Sequence, residues 1–162
     1  MDKSYNKVKI ILKPSDDQVK DIELYFDRFK ELCIWLNENC PSELKKYRDV
    51  YSWAYPKLRR KGAYAQMIGK IAGKVSQHRI KKLEMDCNYI LCDNKMFLFE
   101  KEFVRIKLLD KKVKFKYEIA SGKNTKKMVY SCLQQSGVFQ KADTGYIFHL
   151  RVNTPRVMVY SR

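Results

Sequence analysis

The hydrophobic positions of this chain change period near residue 85. Before it, residues 5–13 (YNKVKIILK) alternate through Lys7, Val8, Lys9 and Ile10, which predicts a strand with one buried face that stops at Pro14. Ser15-Asp16-Asp17-Gln18 then has the S-x-x-Q spacing of a capping box, in which each side chain satisfies the other residue's backbone N–H. Apolar residues follow at intervals of three and four: Val19, Ile22, Phe26, Phe29, Cys33 and Leu36. That spacing lines one helix face as far as about residue 38, ahead of Cys40-Pro41. Asp16, Asp17, Asp21, Glu23, Asp27 and Glu31 occupy its other faces, so this helix should point away from any phosphate backbone. A second helix is predicted over 43–55, capped by Ser42, carrying Leu44, Tyr47, Val50, Tyr51 and Ala54, and ended by Pro56. A basic turn, Lys57 to Gly62, leads to a third helix over 63–83. It buries Met67, Ile68, Ile71 and Val75. Its small residues Ala65, Gly69, Ala72, Gly73 and Ser76 allow close approach of another backbone, and Gln66, Lys70, Lys74, Gln77 and His78 lie off the apolar stripe.

After residue 85 the period is two. Cys87–Cys92 and Lys95–Phe99 flank Asp93-Asn94 as a hairpin would. Strands over 103–108 and 113–119 follow, joined at Asp110-Lys111-Lys112. In the second, Val113, Phe115, Tyr117 and Ile119 form one face and Lys112, Lys114, Lys116 and Glu118 the other. Residues 125–136 fit a short helix stopped by Gly137, with Met128, Val129, Cys132 and Leu133 inward. Strands over 138–142 and 146–153 surround Asp143-Thr144-Gly145, and residues 156–160 suggest one more strand. The expected fold class is α+β. Residues 1–14 and 84–162 would form a β-barrel-like domain, and residues 15–83 a three-helix lobe inserted after the first strand.

Composition narrows the class. The chain has 162 residues, 45% of them hydrophobic, enough for a real core and too apolar for a disordered basic tail. No apolar run reaches the length of a membrane span, and the opening MDKSYNKVKIILKP lacks the apolar core of a secretory signal. Five cysteines, an odd number and none spaced C-x-x-C, read as reduced thiols of an intracellular, cytoplasmic protein. Their spacings do not form paired zinc knuckles, and neither a metal nor a cofactor is expected.

Charge adds a direction. The net charge is +16, yet residues 1–50 carry ten cations and ten acids, while residues 51–162 carry 24 cations and 8 acids. Crowded like charge disfavours folding, so such an excess points to a polyanion. Nucleic acid leads, because binding releases its condensed counterions. The alternative is a solvated surface kept for solubility, which needs a net charge of only about 2–8 in a small domain. The acids of the basic half sit at predicted turns and strand ends, and there is no phosphate-binding glycine loop, so an autonomous nuclease is not expected. The second and third helices have the proportions of a helix-turn-helix. In that reading Arg59, Arg60 and Lys61 sit on phosphates, and Tyr64, Gln66 and Lys70 reach base edges. Lys74, Asn88, Lys112, Lys114 and Lys116 complete the candidate nucleic-acid-binding set.

Three segments in order resemble the N-terminal part of the TnpB (OrfB) proteins of insertion sequences, RNA-guided nucleases related to the type V CRISPR effectors. They are KVKIILKPSDDQVKDIELYFDRFKELCIWLNE, GAYAQMIGKIAGKVSQ and MVYSCLQQSGVFQKADTGYIFHLRVN. Pro14, Gln18, Phe26, Phe29, Trp35 and Asn37 fit the first outline. The resemblance implies an oligonucleotide-binding-like barrel, the wedge, carrying a helical recognition lobe. It implies a grip on structured guide RNA and contact with a short duplex DNA motif through Gln66, while guide pairing reads the remaining sequence. The family's RNase H-like domain would begin beyond the last strand, but this sequence ends at NTPRVMVYSR. The expectation is therefore a non-catalytic binding module, with RNA, duplex DNA or a separate nuclease-domain chain as partner and no membrane. An interaction subunit or inhibitor docking on an effector nuclease, through the acidic helix 16–38, is the alternative. A helix-turn-helix regulator is a further one.

Overall fold

A computed structural model describes residues 5–109, 111–120, 129 and 133–153. The architecture is α+β. In chain order the elements are β1 (Tyr5–Lys13), α1 (Asp16–Asn39), α2 (Tyr47–Arg60), α3 (Ala65–Lys81), β2 (Tyr89–Asp93), β3 (Phe97–Phe99), β4 (Phe103–Lys107), β5 (Lys112–Ile119), β6 (Leu133–Ala142) and β7 (Gly145–Asn153). They divide into two compact units. A sheet unit draws on Met1–Gln18, Tyr89–Lys107 and Lys112–Arg162, and a helical unit on Val19–Asn88 with Leu108–Lys111.

The seven strands form one antiparallel sheet in the order β2-β6-β7-β1-β5-β4-β3. Adjacent in sequence, β2 and β3 were expected to pair as a hairpin; instead they are the two edges of the sheet. Only residues 94–96 join them, folded by Met96 N–H donating to the Asp93 carbonyl (3.1 Å) and Lys95 N–H to Asp93 Oδ1 (2.9 Å). Six strand spacings would set flat edges roughly 29 Å apart. Four Cα steps from Asp93 to Phe97 reach at most about 15 Å. The sheet therefore curls tightly, although its hydrogen-bond ladder does not close. The concave side is filled with aromatic rings: Phe148 of β7 lies 4.7 Å from Phe97 and 5.4 Å from Phe99 of β3, and 6.1 Å from Phe139 of β6. Val8, Ile10, Leu12, Ile106, Phe115 and Leu150 complete this core, which explains the period-two pattern of the strands.

Gly137 was expected to stop a helix over 125–136. It lies instead inside β6, opposite Leu150. A side-chain carbon at Gly137 would meet the Phe148 ring at 2.1 Å, so glycine is what lets that ring cross the strand. Val129 is helical and buried, residues 133–136 belong to the strand, and residues 125–128, 130–132 and 156–160 lie outside the described residues.

In the helical unit α1 buries Ile22, Tyr25, Phe26, Phe29, Leu32, Cys33 and Leu36. Its capping box forms: Ser15 N–H donates to Gln18 Oε1 (3.0 Å) and Gln18 N–H to Ser15 Oγ (3.3 Å). Gln18 Nε2 also donates to the Lys114 carbonyl (2.7 Å), tying this first turn to β5. The second helix begins four residues later than expected and runs through Pro56 to Arg60. Proline removes one N–H, but Ser52, whose carbonyl loses it, is exposed to solvent. The true stop is Gly62, at φ 93°: Gly62 N–H donates to Arg59 O and Ala63 N–H to Leu58 O, the paired bonds of a Schellman motif. Close approach is realised at Ser76, whose Oγ donates to the Lys45 carbonyl (2.7 Å), and at Gly69, which faces the Tyr47 hydroxyl.

Candidate nucleic-acid interface

The convex side of the sheet follows from the same alternation that fills its core. On β1, Lys7, Lys9 and Lys13 are exposed, on β4 Phe103, Arg105 and Lys107 face outward, and on β5 Lys112, Lys114 and Lys116 are exposed. Strand register then decides which of these meet. Lys7 stands opposite Arg151, Lys13 opposite Lys116, Arg105 opposite Lys114 and Lys107 opposite Lys112. Like charges directly opposed on one face destabilise a sheet by about 0.2–1 kcal/mol per pair. Glu118, 3.5 Å from Lys13, and Glu100, 2.9 Å from Arg105, offset part of that cost. Both pairs are solvent-exposed, so each returns little. Leu98 and Phe103 place apolar surface among the cations, with Phe103 directly opposite Lys116. Beside the turn between β2 and β3, a cleft of about 210 Å³ is lined by Lys95, Arg105, Lys107 and Lys112. This face is a cationic strip with apolar side chains set into it. Lys112, Lys114 and Lys116 belong to it; Lys7, Lys13, Arg105, Lys107 and Arg151 were missed. The alternating lysines were visible in the sequence, but pairing across strands far apart in the chain was not.

The helical candidates are placed differently. Tyr64 is 6% exposed and its hydroxyl bonds that of Tyr25 at 3.2 Å, so this ring belongs to the core and is closed to a base. Lys74 is half-buried with Nζ inside the protein. Desolvation holds its pKa below the ordinary ammonium value, while Cys87, Asp86 and Cys33 pull it upward. It does not stand on an open face. Arg59 donates through Nη1 to the Ala63 carbonyl (3.2 Å), fastening the turn. The Lys61 ammonium lies 4.5 Å over the Trp35 ring and its carbonyl accepts from Arg28 (2.7 Å). Lys57 sits 4.0 Å over Trp53, and the two indoles stack at 6.2 Å. Arg60 is exposed, while Gln66 and Lys70 are half-exposed on α3. Asn88 is exposed at the end of the unit, its N–H donating to Asp86 Oδ1 (2.9 Å).

One cation of this unit went unnoticed in the sequence. Arg79 of α3 donates to Asn37 Oδ1, to the carbonyls of Asn37, Cys40 and Pro41 near the end of α1, and to Leu44 O, all within 3.1 Å. The last turn of α1 holds no basic residue of its own. An uncapped helix end followed by proline was the available signal that a distant donor was needed.

Among the described residues no group of three or more His, Cys, Asp or Glu is placed to hold a metal ion, and no helix is long and apolar enough to cross a membrane. No family model matches the chain, and no curated protein matches it.

Proposed function

We propose that this chain is a non-catalytic RNA-binding module whose convex sheet face holds the phosphate backbone of a structured RNA. The observation that carries the reading is the register. Four like-charged pairs face one another across strands, an arrangement that costs stability in the free protein and is relieved when phosphates lie between the strands. Exposed Leu98 and Phe103 on the same face suit an RNA whose bases are partly unstacked.

The resemblance to TnpB proteins supplies the kind of RNA, a guide-like transcript, and makes the curled sheet an incompletely closed oligonucleotide-binding barrel with residues 15–83 as its inserted recognition lobe. In that setting a separate nuclease-domain chain is the natural cytoplasmic partner. Arg60, Gln66 and Lys70 remain exposed enough on the helical unit to touch a short duplex DNA motif, and this is the second reading.

The test is the salt dependence of binding. Anisotropy titrations with a labelled stem-loop RNA, between about 50 and 200 mM salt, should give a steep linear fall of log affinity with log salt. A flat dependence overturns the proposal.

A further inference from the structure

The cationic strip ends in a recess. β3 is the last strand on its side of the sheet, beyond β5 and β4, and the cleft of about 210 Å³ beside it is lined by Lys95, Leu98, Arg105, Lys107 and Lys112. The fold gathers these cations from three places in the chain. Lys107 of β4 stands opposite Lys112 of β5, and antiparallel partners start only about 4.5–5.5 Å apart at their Cα atoms. Arg105 lies two residues before Lys107, on the same face of β4, and opposite Leu98 of β3. Lys95 arrives from the turn between β2 and β3. Lys107 N–H donates to the Met96 carbonyl (2.9 Å), and Lys95 N–H to Asp93 Oδ1 (2.9 Å), which fixes the turn against β4. Arg105 Nη2 donates to Glu100 Oε1 (2.9 Å), so the guanidinium is oriented before any ligand arrives.

We propose that this cleft is a subsite for a terminal phosphate, the monoester at one end of the bound RNA. It rests on the reading of the sheet face as an RNA site and adds which group sits at the edge of that face. Charge favours a chain end. An internal phosphodiester carries one negative charge, whereas a phosphate monoester carries about 1.5–2 near pH 7. The opposed pairs elsewhere on the strip offer two cations each, while the cleft offers four, with Glu100 bonded to one of them. Shape favours a chain end as well. Ordinary small-ligand pockets hold about 300–1,000 Å³, so this smaller cleft takes a phosphate group and little more. An internal phosphate would have to enter with a nucleotide on either side, a terminal one with a nucleotide on one side only. Arg105 supplies a planar fork of donors and the three lysines supply compact ammonium groups, a set suited to the three free oxygens of a monoester. Leu98, 49% exposed, gives the adjoining nucleotide an apolar surface.

Anisotropy titrations with one stem-loop RNA in three forms test this: hydroxyl at both ends, a 5′-phosphate, and a 3′-phosphate. One phosphorylated form should bind about tenfold tighter than the hydroxyl form, the worth of an added charge-assisted hydrogen bond, and its identity tells which end is held. Lys95→Ala should bring that ratio close to one. Lys7→Ala, on the strip away from the cleft, should weaken all three forms alike and keep the ratio. A second measurement reads the cleft without RNA. Inorganic phosphate titrated into the free protein, followed by amide NMR, should shift residues 94–98, 105, 107 and 112 first. Equal affinity for the three forms, with a steep salt dependence, overturns the terminal-phosphate site and leaves RNA binding standing. So does a Lys95→Ala protein that keeps the full ratio. A flat salt dependence in every form overturns the RNA reading instead, and the phosphate titration then decides the cleft by itself. Phosphate shifts spread evenly over the exposed lysines mean an adventitious ion only and overturn the proposal.

Discussion

The sheet unit and the helical unit carry similar numbers of cations and use them in opposite ways. The sheet unit's sequence holds 18 Lys and Arg against 8 acids, and the helical unit's 16 against 10. In the helical unit many of these cations stabilise the fold. Arg79 caps the end of α1, Arg28 and Arg59 fasten the turn after α2, Lys57 and Lys61 cover indole rings, and Lys74 is half-buried. In the sheet unit cations stand opposite one another across strands, with Lys13 and Arg105 also paired to Glu118 and Glu100. Net charge counts both kinds alike. What separates them is whether a cation packs on carbonyls and rings or stands opposite a further cation, and on that ground the proposed RNA contact is assigned to the sheet face.

The largest expected effect breaks the helical side of this comparison. Arg79→Ala leaves several carbonyls at the end of α1 without their donor and should destabilise the protein by about 3 kcal/mol or more in urea denaturation. Arg79→Lys should recover little, because a single ammonium cannot span the same acceptors. A loss under about 0.5 kcal/mol would show that Arg79 is an ordinary surface cation.

A smaller effect of opposite sign sharpens the sheet side. Lys112→Glu places a carboxylate opposite Lys107 and should raise stability by about 0.2–1 kcal/mol while weakening RNA binding. A variant that loses stability and keeps full affinity would remove the reading of the opposed pairs as a binding device.

Local structure was legible wherever one residue's chemistry decides it. The capping box at Ser15 and Gln18, the apolar stripe of α1 and the lysine alternation of β5 all form as the spacing predicts. Features that depend on distant residues were not. Pro56 reads as a helix stop, but tolerance of it depends on an exposed turn and the actual stop is a left-handed Gly62. Gly137 reads as a helix end because the Phe148 ring that requires it lies 11 residues further on. The expected β2–β3 hairpin fails because each strand finds a partner elsewhere, β6 and β4 respectively. For the cationic sheet face, the sequence shows three of its lysines on one strand; the strands opposite them emerge only from the fold. The helical candidates fared less evenly, since Tyr64 bonds Tyr25 in the core and Lys74 is half-buried, while Arg60, Gln66 and Lys70 keep some exposure.

The most direct measurement compares two triple variants by their salt-dependent affinity for one stem-loop RNA: Lys112, Lys114 and Lys116 to Ala on the sheet, and Arg59, Arg60 and Lys61 to Ala on the helical unit. Each lysine that contacts a phosphate contributes about 1 to the slope of log affinity against log salt. The sheet variant should lose roughly that much per lysine together with tenfold or more in affinity, and the helical variant should keep the wild-type slope. Equal losses in both, or a loss confined to the helical variant, would contradict the assignment of RNA binding to the sheet face.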